Sequence, residues 1–251
     1  MPANTLCNEL SNLQLDILMH ENPEVVKPEY RLRLSQETKD KKTLKKYARL
    51  LTAVRQRYDK LLRYPVYFQY FYPTDGGITQ IEALEHHVHA YLEDMDALRD
   101  KLKIFYNCLE KDLLREASNK KEVKIFFKVL EEKIYEVFKN ATKIRVPHHH
   151  KGMSFTDNEI LDHRTASLML DGHTNSGLLL SPEGIIHFEK MKSESLFAAK
   201  NKWIQIANNN NDQMIGFISE LFNKTDYLVY QFLKINRVQS SIREELTSTT
   251  P

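Results

Sequence analysis

The residues most able to do chemistry lie between Ile144 and His163, in the run IRVPHHHKGMSFTDNEILDH. Arg145 and His150 stand in an R-x4-H spacing, with His148 and His149 between them. An arginine fork grips two phosphate oxygens and stabilises charge developing on them. A histidine titrates near neutrality, so it can take the proton of a ribose 2′-hydroxyl or return one to a leaving 5′-oxygen. Together they form a minimal phosphodiester site for RNA. The RNA hydroxyl is itself the nucleophile, so no metal or other cofactor is required. Arg145 and His150 are the candidate catalytic pair and His148 and His149 the auxiliaries. The plainer alternative is that Arg145 caps the end of a helix and the histidines line a solvated loop.

Two other constellations stand out. Glu82, His86, His89 and Glu93 fall in one narrow stripe at 100° per residue, a spacing that could hold a transition metal. No Glu-x-x-His occurs to match it and the stripe faces away from the apolar seam, so a polar solvent face is the expectation and no metal is assigned. Residues 39–63 carry ten Lys or Arg against two Asp. Lys42, Lys45, Lys46, Arg49, Arg57 and Lys60 are the candidate RNA-backbone contacts. Tyr47 or the aromatic segment 64–72 could offer rings for base stacking. A solubilising helix face is the alternative, although such faces usually mix both signs. Trp203 is expected to be packing and Cys108 a small buried filler.

The elements that must position these residues follow from composition and period. The chain has 251 residues but only 7 Gly and 8 Pro, too few for many hairpins or for phosphate-cradling loops. A doubly wound nucleotide fold, a P-loop enzyme and a β-sandwich are therefore disfavoured. A formal charge of +2 excludes a uniformly basic coat, not local patches. Two cysteines cannot build a disulfide framework or a zinc ribbon. No secretory signal and no run approaching 18 apolar residues is present, so a cytoplasmic protein without a membrane span is expected.

Apolar residues recur at helical steps almost throughout. Residues 39–64 form one amphipathic helix on Leu44, Tyr47, Ala48, Leu51, Val54, Tyr58, Leu61 and Leu62. Residues 65–77 read as an interruption, a linker or a loop. In residues 78–116, Ile81, Leu84, Val88, Tyr91, Met95, Leu98, Leu102, Phe105 and Leu109 alternate steps of three and four, a seam of four heptads. Residues 120–144 predict a helix with Val123, Phe126, Phe127, Leu130, Ile134, Val137, Phe138 and Ala141 inward, broken at Pro147. A short helix is expected over 157–170, with turns at Asp171-Gly172 and Ser181-Pro182. One or two helices fill 184–237, with a junction at the Asn-rich run 208–212. The fold class is all-α, a bundle of long antiparallel helices. The expected division is an N-terminal extension over 1–77, a bundle over 78–237 and a flexible tail over 238–251.

This layout resembles the HEPN-like proteins, helical bundles carrying an R-x4–6-H motif at or just before the last bundle helices. The matching residues are Arg145 to His150, then Phe155, Asp157 and Glu159, then the helix around Leu161–Leu170. The likeness extends over residues 78–235 and leaves 1–77 outside it. It implies a metal-independent endoribonuclease or RNA-binding protein of a toxin–antitoxin, phage-defence or RNA-processing system. It also implies a homodimer in which two motifs meet across a groove, with RNA or an antitoxin as partner. Val146 stands where the family often has a polar residue, and Pro147 follows it. Noncatalytic members exist, and the alternative function is a noncatalytic helical-bundle interaction protein.

Overall fold

The computed structural model describes residues 8–72, 77–150 and 157–238, with the backbone alone for Glu29 and for 140–150. Among the described residues the chain is all-α: eight helices, a 3-10 turn at Pro23–Val25 and no strand. The helices are α1 (Asn8–Glu21), α2 (Pro28–Arg31), α3 (Lys41–Leu61), α4 (Tyr64–Tyr70), α5 (Gln80–Glu116), α6 (Lys120–His150), α7 (Asn158–Asn175) and α8 (Pro182–Leu233).

Short polar residues set where the long helices begin, by accepting from backbone N–H groups that have no helical partner. Asp40 accepts from the Thr43 amide at 3.1 Å at the start of α3. Thr79 and Glu82 form a reciprocal capping box at α5, with contacts of 2.7 and 3.3 Å. Asn119, Asp157 and Ser181 do the same for α6, α7 and α8.

Four boundaries differ from those expected. The aromatic segment is helix over Tyr64–Tyr70, because Pro65 occupies a first-turn position where its missing N–H costs nothing. Helix α6 continues through Pro147 to His150; an interior proline forfeits one backbone bond, about 3 kcal/mol, without forbidding the helix. Helix α7 runs through Asp171-Gly172 and stops at Asn175, where Gly177 takes φ +73° and the Leu178 amide returns to the Gly172 carbonyl at 3.1 Å. Helix α8 passes unbroken through Asn208–Asp212. Asn208 and Asn209 face solvent there, and Asn210 donates to the Tyr91 hydroxyl at 2.8 Å.

The chain forms two compact units, one from residues 1–59, 97–138 and 212–251, the other from 60–96 and 139–211. Each draws residues from both sides of position 77. In the first unit the buried faces of α1, α3, α5, α6 and α8 meet around Tyr47, Phe105 and Phe222. Phe105 packs edge-on against Tyr47 at 6.2 Å and beside Phe222 at 5.9 Å. Contacts of Lys39 with Glu116 and Tyr47 with Asp112 make α3 antiparallel to α5. Lys103 with Glu131 and Tyr106 with Phe127 make α6 antiparallel to α5. Helix α1 runs parallel to α8: Glu9 meets Ser219, Asp16 meets Tyr230, and His20 meets Asn236. Val238, within the expected tail, is buried, its amide donating to Asp16 at 3.2 Å; residues 239–251 lie outside the description.

In the second unit Tyr64, Phe68, Tyr91 and Trp203 make the core. Gln80 pairs with Lys200 and Tyr91 with Asn210, so α5 and α8 run parallel here. The bundle is thus mixed rather than wholly antiparallel. The six-residue break between α7 and α8 and the two-helix return from α5 bring α8 back in the direction of α5.

All nine seam residues of α5 are buried, and the helix is continuous through Met95. Among the described residues no helix is long and apolar enough to cross a membrane.

Candidate functional site

Arg145, His148, His149 and His150 occupy the last turns of α6. Their side chains lie outside the described residues, so their pairing rests on residue type and spacing. Five positions along a helix span about 1.4 turns.

The cationic face of α3 is better defined. Asp40, Lys42, Thr43, Lys45, Lys46, Arg49 and Leu50 line a shallow hollow in the first unit. Lys42, Lys45 and Arg49 are exposed and, among the described residues, make no ion pair. The one acid of the hollow, Asp40, is engaged by the Thr43 hydroxyl and amide, which hold its carboxyl below the ordinary aspartate range. The other three predicted contacts are structural as well as cationic. Lys46 lies 2.7 Å from Asp112, and Lys60 lies 2.7 Å from Asp94 in the second unit. Arg57 is half-buried. The face therefore divides: its N-terminal part is open, and much of the rest neutralises carboxylates brought from α5.

Tyr47 is not a stacking ring. It is fully buried, its hydroxyl donates to Asp112 at 2.8 Å, and burial followed by that carboxylate pushes its ionisation well above the usual tyrosine range. The sequence places it on the apolar face of α3, and that placement decides its role. In segment 64–72, Tyr64 and Phe68 are buried, and the Tyr64 hydroxyl donates to Asp94 at 2.5 Å. Tyr70 and Phe71, by contrast, are 68% and 58% exposed.

The Glu82 stripe disperses into local tasks. Glu82 closes the α5 capping box, and its carboxyl is held low by the Thr79 amide and hydroxyl. His86 and Glu93 face solvent. Among the described residues no group of three His, Cys, Asp or Glu is placed to hold a metal. Asp157 and Glu159, which follow the motif, anchor α7. Buried Asp157 accepts from Trp203 Nε1 at 3.0 Å and from Lys202 at 3.0 Å. Lys202 also lies 2.5 Å from Glu159 and, as the main cause, draws its carboxyl down to about 2. Cys108 is half-buried rather than buried.

One surface was not legible in the sequence. Phe126 and Val137 point outward at 36% and 40% exposure, not inward, and Val129 is 48% exposed. With Phe217 and Leu221 of α8 they line an apolar groove of about 490 Å³ in the first unit, rimmed by Glu132, Lys133, Glu136, Glu220 and Lys224. The apolar arc of α6 is wider than one face can bury, which is the signal available from sequence alone.

No protein-family model matches the chain, and no curated protein or solved structure matches it either.

Proposed function

We propose that the chain is an RNA-binding helical protein that holds the phosphate backbone with the N-terminal half of α3, through Lys42, Lys45 and Arg49. One observation carries this reading. Three exposed cations surround a hollow whose single acid is engaged in capping the helix. Such a site attracts a polyanion and releases its counterions on binding. Within the same reading, the HEPN-like motif supplies metal-independent cleavage. Arg145 would hold the scissile phosphate and His150 would serve the proton transfers, with two copies of the chain contributing one motif each.

The test separates binding from cleavage. A labelled single-stranded RNA is titrated at several salt concentrations with the parent and with Lys42→Glu/Lys45→Glu/Arg49→Glu. Loss of three phosphate contacts should flatten the slope of log K against log salt by about 2. Cleavage is then followed in EDTA with Arg145→Ala and His150→Ala. An unchanged salt slope would return the α3 face to plain solubility. Cleavage surviving both substitutions would remove the pair from the mechanism.

A second reading, a noncatalytic interaction protein, is favoured by the α6–α8 groove. An amphipathic helix laid on Phe126, Val129, Val137 and Phe217 would cover apolar surface that the chain leaves in water. Absence of RNA binding and cleavage in the parent, together with binding of an amphipathic helical peptide that Val129→Glu abolishes and the α3 variant keeps, would support it.

A further inference from the structure

We infer that the second unit carries a base-stacking site for single-stranded nucleic acid, built from Tyr70 and Phe71 at the end of α4 and braced by His87. The inference rests on the nucleic-acid reading above but on different residues. Exposed large aromatics are ordinarily scattered singly. Here two are consecutive, at 68% and 58% exposure, and with Tyr72 and His87 they line one shallow hollow.

The rings of Phe71 and Tyr72 are held rather than loose. His87 Nε2–H donates to the Phe71 carbonyl at 2.6 Å, fixing the turn that leaves α4. The Phe71 amide returns to the Tyr67 carbonyl at 3.1 Å, and the Tyr67 ring meets Phe71 edge-on at 5.1 Å. Tyr72 is tied through its hydroxyl to the Phe68 carbonyl at 2.6 Å, and burial pushes its ionisation up to about 12. Rigid rings lose little entropy on binding, which favours a flat ligand.

The charge around the rings selects the kind of flat ligand. The Lys200 ammonium sits 3.7 Å from the Tyr72 ring centroid. Exposed Arg63 lies seven residues before Tyr70, two helical turns back and on the same face. Segment 60–72 contains no acid. The nearest acids along α5 are engaged, Glu82 by Thr79 and Glu85 by Arg164. A neutral sugar would gain nothing from these cations, whereas a nucleotide presents a π-face to the rings and a phosphate to Arg63.

The experiment uses the full chain and two fluorescein-labelled 12-nucleotide strands, oligouridylate and an abasic strand of equal phosphate count. Parent, Tyr70→Ala/Phe71→Ala and Tyr70→Trp/Phe71→Trp are titrated by anisotropy, with circular dichroism as a check on folding. The alanine pair should bind oligouridylate about tenfold more weakly, with an unchanged salt slope, and the tryptophan pair should restore binding. The abasic strand should bind parent and alanine variant alike. Equal affinity of parent and alanine pair for oligouridylate overturns the site. So does parent affinity for the abasic strand equal to that for oligouridylate, or tighter binding of a neutral oligosaccharide. If the α3 reversal alone weakens binding, this site fails and the α3 reading stands. If only the alanine pair does, the reverse holds. If the parent binds neither strand, both fall.

Discussion

The Tyr47 hydroxyl and the Asp112 carboxylate, 65 positions apart in the chain, meet at 2.8 Å in the interior of the first unit. Lys46 and Arg115 complete the carboxylate's partners at 2.7 and 3.1 Å. Burial raises the Asp112 pKa, but these hydrogen bonds and charges outweigh it, so the group titrates below the ordinary aspartate range. A depressed carboxyl contributes stability that is present above about pH 3.8 and is lost as pH falls through the folded value. Tyr47→Phe removes one donor from a buried acceptor and should cost about 1–2 kcal/mol in urea unfolding. Asp112→Ala should cost more, about 3 kcal/mol, because Lys46 and the Tyr47 hydroxyl both lose their partner.

His20 predicts a second pH dependence. It is buried, donates from Nδ1 to the Asp16 carbonyl at 2.7 Å, and accepts at Nε2 from the Ser35 and Asn236 amides at 3.3 and 3.4 Å. Burial is the main cause of its lowered pKa. A histidine held neutral binds fewer protons folded than unfolded, so stability falls as pH drops below 6.5 toward the folded value, and levels off beneath it. His163 acts in the same direction, also through burial. Thermal unfolding of the parent between pH 7 and 5 should show this loss, and His20→Gln should lessen it. An equal loss in the variant would clear His20.

Two phenylalanines of α6, Phe126 and Phe138, should behave differently. Phe138→Ala empties a fully buried site and should cost about 3–5 kcal/mol. Phe126→Ser, at the exposed groove, should cost no more than about 1 kcal/mol. Denaturant unfolding of the two variants compares them directly; similar costs would mean that Phe126 belongs to the core.

Within the Asn run of α8, Asn208→Ala and Asn209→Ala should each raise stability by about 0.5 kcal/mol, since both side chains face solvent within a continuous helix. Asn210→Ala should do the opposite, by removing a partner of the buried Tyr91 hydroxyl. Thermal melts of the three variants check the contrast. A break in the helix would instead make all three neutral.

The elements with one clean apolar stripe were legible in the sequence. The α5 seam and the α3 face are buried residue for residue, apart from half-buried Leu62, because a narrow stripe leaves one orientation that hides it. Helix α6 was less legible: Ile125, Phe126, Phe127, Val129 and Leu130 surround much of the helix, and period alone does not say which are covered. Proline and asparagine were over-read as breaks at 147 and 208–212, since tertiary packing outweighs propensity in long helices. The partners of Lys46 and Lys60 were hidden for another reason. Asp112 and Asp94 lie 66 and 34 positions away, and no local pattern announces pairs of that kind.

The pairing of α1 with the far end of α8 sets an order in time. Asp16 waits for Tyr230 and Val238, and Glu9 for Ser219, contacts separated by 210 to 222 positions. During synthesis at about 5–20 residues per second, α1 emerges roughly 10–45 s before its partners exist. For that interval Leu10, Leu13 and Ile17 lack the C-terminal part of their cover. The nascent chain then depends on chaperone shelter or on early pairing of α1 with α3, for which Gln14 supplies polar contacts before α8 is made, donating to Thr52 at 2.8 Å and accepting from Arg55 at 3.4 Å.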